Sequence, residues 1–220
     1  MRVALITACY GAYDPVRPLP DGHGFDDAVC VTDTVSGIGE GWRVHVEPSS
    51  ESPRLAAKRA KMLPWLYTDC DAAVWLDASF EVKDGMFYKW VLPQLAVRDF
   101  IVWSHPEGRF CISQEAKVSM MLEKYQGSRI EEQVAAYFAD GMPANWGLFA
   151  AGTVGWRFND GVKAFGEAWY EEQFKWSVQD QISLPYLLWR EGKPYGIWAG
   201  NEYQNPFIEL KWDERPRPRE

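Results

Sequence analysis

The hydrophobic positions of the chain fall into short apolar runs and longer stretches with helical spacing. The run Val3–Cys9 is typical of a strand buried on both faces, and a loop rich in glycine and proline follows it. Similar runs predict further strands at 28–32, 42–46, 74–76, 100–104, 149–158 and 195–198. Helical spacing predicts helices at 52–67, 86–95, 114–125, 130–139, 161–174 and 178–190. This order predicts one α/β domain with a mostly parallel central sheet flanked by helices.

The clearest boundary signals lie at the first helix and at the end of the chain. Ser52 is a good N-cap and Pro53 suits the first helical position, so a helix is expected to begin here and to bend at Pro64. Residues 211–220 are charged and proline-rich without an apolar anchor. We therefore expect a folded domain over 1–210 and a frayed polar tail over 211–220.

The amino-acid composition argues against several classes of protein. The chain is 47% hydrophobic and 15% aromatic, which excludes disorder, and its net charge of -8 argues against a nucleic-acid partner. The four cysteines are scattered without metal-ligand spacing, as in a cytosolic protein with reduced thiols. No apolar stretch approaches the roughly 20 residues of a membrane span, and the amino-terminal run is too short for a signal peptide. We expect a cytoplasmic protein with no membrane span.

A carboxylate follows the apolar run Ala73–Leu76, in the sequence Asp77-Ala78-Ser79. Open α/β sheets bind ligands at the carboxyl ends of their strands, so Asp77 is a candidate contact for a metal or a polar substrate. A turn-initiating aspartate is the alternative.

Three cations share one face of the first helix. Arg54, Lys58 and Lys61 follow the spacing i, i+4 and i+7. A cation in the first turn opposes the helix dipole, so an external anion such as a diphosphate would supply the missing partner. The alternative is a solvated basic face that pairs with nearby acidic residues.

Together these features resemble the nucleotide-sugar half of a GT-A glycosyltransferase. More closely, the chain is similar to domain-of-unknown-function family 616, a glycosyltransferase-like group, in Pro53-Arg54-x3-Lys58-x2-Lys61-x2-Pro64 followed by Trp75-Leu76-Asp77-Ala78-Ser79. The resemblance extends through Ser104-His105-Pro106, Ala151-Gly152-Thr153-Val154 and Asp180-Gln181, and so covers most of the chain.

The resemblance implies a binding site for a nucleotide-diphosphate sugar donor. It implies that the base and ribose are held by Tyr10, Gly11 and Asp33. It implies that the diphosphate is neutralised by Arg54, Lys58 and Lys61, with Ser79 and Gly152 also in the donor site. Asp77 corresponds to the first acidic residue of the GT-A metal motif. Ser79 stands where most GT-A enzymes have a second acidic residue, and a hydroxyl is a poor ligand for Mn or Mg, so metal dependence stays open.

Three residues are candidates for catalysis. His105 follows a predicted strand, where it can touch a phosphate, a metal or an acceptor sugar; a hydrogen-bonded surface histidine is the alternative. The resemblance implies that the pair Asp180-Gln181 faces the donor sugar or the acceptor hydroxyl, so that Asp180 acts as a general base or orients the sugar. The alternative is structural, because Ser177 and Asp180 have the spacing of a capping box.

The sequence thus predicts a glycosyltransferase that moves a sugar from a nucleotide-diphosphate donor to a hydroxyl acceptor, such as a saccharide or another glycan. One or two of four tryptophans are expected to face solvent in a groove, where rings stack on sugars: Trp146, Trp156, Trp176 and Trp198. The alternatives are a catalytically silent carbohydrate-binding domain and a nucleotidyltransferase of similar α/β layout.

Overall fold

Residues 1–211 are described in the computed structural model of the protein. The strands are Val3–Cys9 (β1), Asp27–Thr32 (β2), Arg43–Val46 (β3), Ala72–Leu76 (β4), Phe80–Val82 (β5), Phe100–Ser104 (β6), Phe149–Arg157 (β7), Gly196–Ile197 (β8) and Ile208–Leu210 (β9). The helices are Pro53–Met62 (α1), Met86–Leu95 (α2), Ile112–Met120 (α3), Ile130–Ala139 (α4), Asp160–Lys175 (α5) and Asp180–Arg190 (α6).

Seven strands form the central sheet, in the order β3-β2-β1-β4-β7-β6-β8. Strand β7 runs antiparallel to both of its neighbours, β4 and β6, whereas the other pairings are parallel. Strands β5 and β9 form a separate two-stranded antiparallel sheet. The predicted α/β domain with a mostly parallel central sheet is therefore confirmed.

Two apolar layers cover the sheet. Ala4, Ile6 and Ala8 of β1 pack into a core shared with α1 and with α3 to α6. The alternate residues Val3 and Leu5 pack into a second core with α2 and the small sheet. Burial on both faces explains why β1 is a continuous apolar run rather than an alternating one.

The first helix begins as predicted and ends earlier. The hydroxyl of Ser52 accepts a hydrogen bond from the Leu55 N–H at 3.4 Å, and Pro53 occupies the first turn. The helix ends at Met62, and Pro64 opens a separate 3-10 turn, so the expected bent helix is wrong. Because proline has no N–H and clashes with the preceding turn, it stops the helix here.

Other boundaries also differ from the sequence-based expectations. The helix expected at 114–125 begins at Ile112 and ends at Met120, and residues 123–125 form a separate 3-10 turn. Strands β5 and β9 were not predicted, since each has only three residues. A run of that length carries too little periodicity to separate it from a loop.

The end of the described chain is attached to the domain. The N–H of Lys211, the first residue of the expected tail, donates to the Ser79 carbonyl at 2.9 Å, and residues 212–220 lie outside the described residues. Within 1–211, no helix combines the length and the apolar character needed to cross a membrane. Cysteines 9, 30, 70 and 111 are buried free thiols.

Candidate functional site

A groove of about 740 Å³ opens at the carboxyl edge of the central sheet. Strands β1, β4 and β6 end at this edge, and the reversed strand β7 begins there. Most of the candidate residues line the groove: Tyr10, Arg54, Lys58, Lys61, Asp77, Ser79, His105, Gly152, Asp180 and Gln181. The fold therefore brings together residues that are dispersed over most of the sequence.

A buried ion cluster lies against this groove. Lys58 and Lys61 of α1 each donate from Nζ to Oδ2 of Asp180 at 2.5 Å. The exposed fractions of the side chains are 17% for Lys58, 3% for Lys61 and 7% for Asp180. The basic face of α1 is therefore not a solvated surface at these two lysines, and Asp180, at the start of α6, is their common partner.

Burial and charge shift the protonation equilibria of the cluster in opposite directions. Burial raises the pKa of Asp180, but the Lys58 and Lys61 ammoniums outweigh it and hold that pKa well below its usual range. Burial lowers the pKa of Lys58 in spite of its ion pair. Burial also lowers the pKa of Lys61, but the negative charges of Asp180 and Asp77 have the larger effect, so the pKa of Lys61 is raised. Asp180 is thus an ionised carboxylate and a weak base.

The capping-box alternative for Asp180 is wrong. Gln179 occupies the N-cap position of α6, with no side-chain cap hydrogen bond, and Asp180 is the first residue of the helix. The Ser177 hydroxyl donates to Gln133 Oε1 at 2.6 Å and accepts the Gln179 N–H at 3.4 Å. Asp180 therefore serves the ion cluster and not the helix start.

Asp77 presents a half-exposed carboxylate on the floor of the groove. Its Oδ1 accepts from the Trp75 indole N–H at 2.6 Å and lies 3.5 Å from Lys61 Nζ. Its backbone N–H donates to the Gly152 carbonyl on β7 at 2.8 Å. With 40% of its side chain exposed, Asp77 is fixed in place and can still reach a ligand.

Asp77 has a cationic neighbour at the position where the metal motif would bind a divalent ion. Asp77 Oδ1 already accepts from an indole and faces an ammonium, which competes with a metal cation for the carboxylate. Ser79 offers only a hydroxyl, and among residues 1–211 no group of three His, Cys, Asp or Glu side chains is placed to hold a metal ion. Lys61 is the cation beside Asp77 in this part of the groove.

Arg54 lies at the rim, apart from the two lysines. Its Nη1 donates to the Lys124 carbonyl at 3.0 Å, and its guanidinium lies 5.7 Å from the ring centroids of Tyr13 and Tyr125. These contacts connect α1 with the loop after β1 and with the 3-10 turn at 123–125. Arg54 therefore occupies the groove margin rather than the ion cluster.

The expected nucleoside contacts separate in the structure. Tyr10 lines the groove, and burial raises its pKa to about 12, so its hydroxyl stays protonated. Gly11 and Asp33 lie outside the groove lining. The Gly11 N–H donates to both carboxylate oxygens of Asp33, at 3.0 and 3.1 Å, and Gly11 has a φ of +64°. Asp33 thus anchors the turn after β1.

His105 is a buried residue of the groove lining, so the surface-histidine alternative is wrong. Its side chain is 2% exposed, and Nε2 lies 3.1 Å from Arg109 Nη2 and 3.7 Å from Glu115 Oε2. Burial and the nearby Arg109 lower the pKa of His105 to about 4. His105 is therefore neutral at physiological pH. Glu115 joins it to α6, because Glu115 Oε1 accepts from the Gln179 amide at 2.9 Å.

Glu202 is a groove residue that sequence reasoning missed. It follows β8, is 2% exposed, and accepts the Thr153 N–H at 2.8 Å. Burial, with a contribution from Asp77, raises its pKa to about 8. No motif surrounds Glu202 in the sequence, and its place beside β7 depends on the path of a loop.

The expectation for the tryptophans is wrong. Trp156 and Trp198 are buried in the two cores, and Trp146 and Trp176 are half-buried. None of the four is among the residues that line the groove; Trp75, which is 3% exposed, is the tryptophan there.

Comparison of the chain with protein-family models finds no match, and neither does comparison with curated protein sequences. The fold defines an α/β protein with a ligand-sized groove, lined by charged and apolar residues, at the carboxyl edge of its sheet. The groove is therefore the feature of the structure that bears on function.

Proposed function

We propose that the protein is a glycosyltransferase that moves a sugar from a nucleotide-diphosphate donor to a hydroxyl acceptor on a saccharide or another glycan. The observation that carries this proposal is the convergence of two largely buried lysine ammoniums on a groove of about 740 Å³ at the carboxyl edge of the sheet. A groove of this volume is in the range that holds a small organic ligand.

The donor diphosphate is proposed to bind at Lys58. An ammonium has three N–H donors, and Lys58 uses one on Asp180, so donors remain for phosphate oxygens. Lys58 is also the more accessible of the two lysines, with 17% of its side chain exposed against 3% for Lys61. Lys61 lies behind it and bridges Asp180 and Asp77. Arg54 at the rim supplies a further cation.

In this proposal the lysine ammoniums stabilise the leaving-group charge that a metal ion stabilises in many such enzymes. Departure of a nucleoside diphosphate builds negative charge on the leaving oxygens, and fixed cations in a partly desolvated site stabilise that charge. Lys58 and Lys61 are held in place by Asp180, so little reorganisation is needed when the charge develops. The proposed reaction therefore needs neither Mn nor Mg at Asp77.

Asp180 and Asp77 have different proposed roles. A general base works best when its pKa lies near the working pH, and the lowered pKa of Asp180 makes it unsuitable. We therefore assign Asp180 to positioning the lysines and, with Gln181, to orienting the sugar. Asp77 is the more exposed carboxylate, and it is proposed to accept hydrogen bonds from sugar hydroxyls.

A thermal-shift screen against UDP-, GDP-, CMP- and ADP-linked sugars, with and without Mn, tests the proposal. A donor at a hundred times its Kd stabilises the folded protein by about 2.7 kcal/mol, or a melting temperature about 5–10 °C higher. Wild type and the control variant Lys89→Ala, which removes an exposed lysine of α2, should both respond. Lys58→Ala should respond clearly less at the same donor concentration.

Three outcomes separate the alternatives. No response to any nucleotide sugar would contradict the proposal. A response to free saccharides that a nucleotide does not increase would favour a carbohydrate-binding domain. Consumption of a nucleoside triphosphate together with a sugar phosphate would favour a nucleotidyltransferase.

A further inference from the structure

The buried carboxyl group of Glu202 has no part in the roles assigned so far. It lies in the segment between β8 and β9, where Asn205 Nδ2 donates to the Glu202 carbonyl at 2.7 Å. Its Oε1 accepts the Thr153 N–H of β7 at 2.8 Å. Turn and strand together fix the carboxyl group against the groove.

Gly152 makes this close approach possible. A Cβ atom at position 152 would lie 2.8 Å from Glu202 Oε1 and 2.7 Å from a ring carbon of Phe80. The carboxyl group therefore packs directly onto the backbone of β7, at the point where Asp77 also bonds to that strand.

Glu202 forms no ion pair with the charged groups that face it. These groups are Asp77 after β4, Lys61 on α1 and Asp180 on α6, and Tyr203 is the neighbouring titratable residue in the chain. Among residues 1–211, no lysine, arginine or histidine forms an ion pair with Glu202, and Lys61 is already bonded to Asp180. An ionised Glu202 would therefore add an uncompensated negative charge to a largely buried site.

Two ammoniums and two carboxylates are in balance in the cluster when Glu202 is neutral. Lys58 and Lys61 match Asp180 and Asp77, and a proton on Glu202 keeps the total at zero. A neutral carboxyl group also has an O–H donor. Since Oε1 accepts from Thr153, the proton belongs on the other oxygen.

We propose that Glu202 is a ligand-binding residue that holds its proton at neutral pH and donates it, in a hydrogen bond, to an anionic oxygen of the diphosphate held at Lys58. This inference rests on the proposed function, because it takes a diphosphate as the ligand. The pKa of Glu202, raised by burial to about 8, agrees with the geometry. A bond from a neutral acid to a phosphate oxygen is short and charge-assisted, whereas an ionised Glu202 would repel that oxygen.

Calorimetric titration with UDP, GDP, CDP, ADP and inorganic pyrophosphate at pH 7 and pH 9 tests the inference. The protein variants are wild type, Glu202→Gln and the control Glu167→Gln, which alters an exposed residue of α5. Glutamine keeps the acceptor for Thr153 and offers an N–H donor at every pH. Lys58 also loses charge as the pH rises, but it is unchanged in both variants, so the difference between proteins isolates Glu202.

We expect the diphosphate affinity of wild type and of Glu167→Gln to fall by about tenfold or more between pH 7 and pH 9. In Glu202→Gln, the factor by which the affinity falls should be at least about threefold smaller. An equal loss in Glu202→Gln would overturn this inference and leave the proposed function standing. Failure of every diphosphate to bind wild type would overturn both.

A measurement without ligand checks the proton directly. The carboxyl carbon resonance that disappears in Glu202→Gln should titrate in wild type with a midpoint about 8. A midpoint near 4.3, about that of an ordinary glutamate, would overturn the inference whatever the binding data show.

Discussion

Lys58 and Asp180 are 122 positions apart in the sequence, and the lysine Nζ lies 2.5 Å from the carboxylate Oδ2. Lys61 binds the same oxygen at the same distance. One carboxylate at the start of α6 therefore compensates two largely buried cations on α1. This shared contact ties the helical layer together at the margin of the groove, so its loss should affect stability as well as ligand binding.

Asp180→Asn should destabilise the fold. An amide cannot compensate two buried ammoniums, and removing one partner of a buried ion pair costs about 3–5 kcal/mol, or about 6–20 °C in melting temperature. Urea unfolding at pH 7 measures the change. Asp160→Asn, an exposed aspartate at the same position of α5, is the control and should cost less than about 1 kcal/mol. Equal stabilities of wild type and Asp180→Asn would contradict the ion cluster.

Lys58→Ala and Lys61→Ala should have separable effects. Lys58 is the more exposed, so its loss should mainly weaken nucleotide-sugar binding, by about 1–3 kcal/mol, as for a hydrogen bond to a charged group. Lys61 is 3% exposed and faces both Asp180 and Asp77, so its loss should mainly lower the free energy of unfolding. Calorimetry and urea unfolding on both variants provide the comparison. If both variants bind donor normally, neither lysine contacts the diphosphate.

Gly152→Ala should destabilise the protein by about 1–3 kcal/mol, because its Cβ would overlap the Phe80 ring and the Glu202 carboxyl group. Gly161→Ala is the matched control. Gly161 lies in the first turn of α5, where the nearest atom to a Cβ is the flexible end of Lys193 at 3.3 Å. That change should be neutral or stabilising by up to about 1 kcal/mol. Thermal unfolding of the two variants decides whether close packing requires glycine at 152.

Glu202→Gln should become more stable than wild type as the pH rises. The pKa of Glu202 is about 8 in the folded protein and about 4.3 in an unfolded chain, so the folded state binds the proton more tightly. Wild-type stability therefore falls between these two values as the pH rises, whereas glutamine does not titrate. Between pH 5 and pH 7.5 the variant should gain about 3 kcal/mol relative to wild type. A constant difference between their urea midpoints would contradict the raised pKa.

Features set by neighbouring residues were predictable from the sequence. The start of α1 follows from Ser52 and Pro53, and the buried strand β1 follows from its apolar run, because capping and burial pattern act over a few positions. The same local reasoning placed Asp77 at the end of a central strand, where the groove opens.

Features set by tertiary contact were not predictable. The spacing of Ser177 and Asp180 predicts a capping box, yet the fold turns Asp180 toward α1. Asp33 follows a strand as Asp77 does, but it lies outside the groove lining and its carboxylate accepts the Gly11 N–H. Glu202 lies in a loop that approaches β7, and the residues around Glu202 in the sequence do not predict that approach.

The reversed strand β7 has a consequence for synthesis of the chain. Its residues pair with β4 on one side and β6 on the other, so neither strand has that partner until position 157 has been made. A nascent chain that stops before residue 149 exposes the edge of β4 and contains Lys58 and Lys61 without Asp180. Open strand edges promote association between chains, so such a truncated product is expected to aggregate or to require a chaperone.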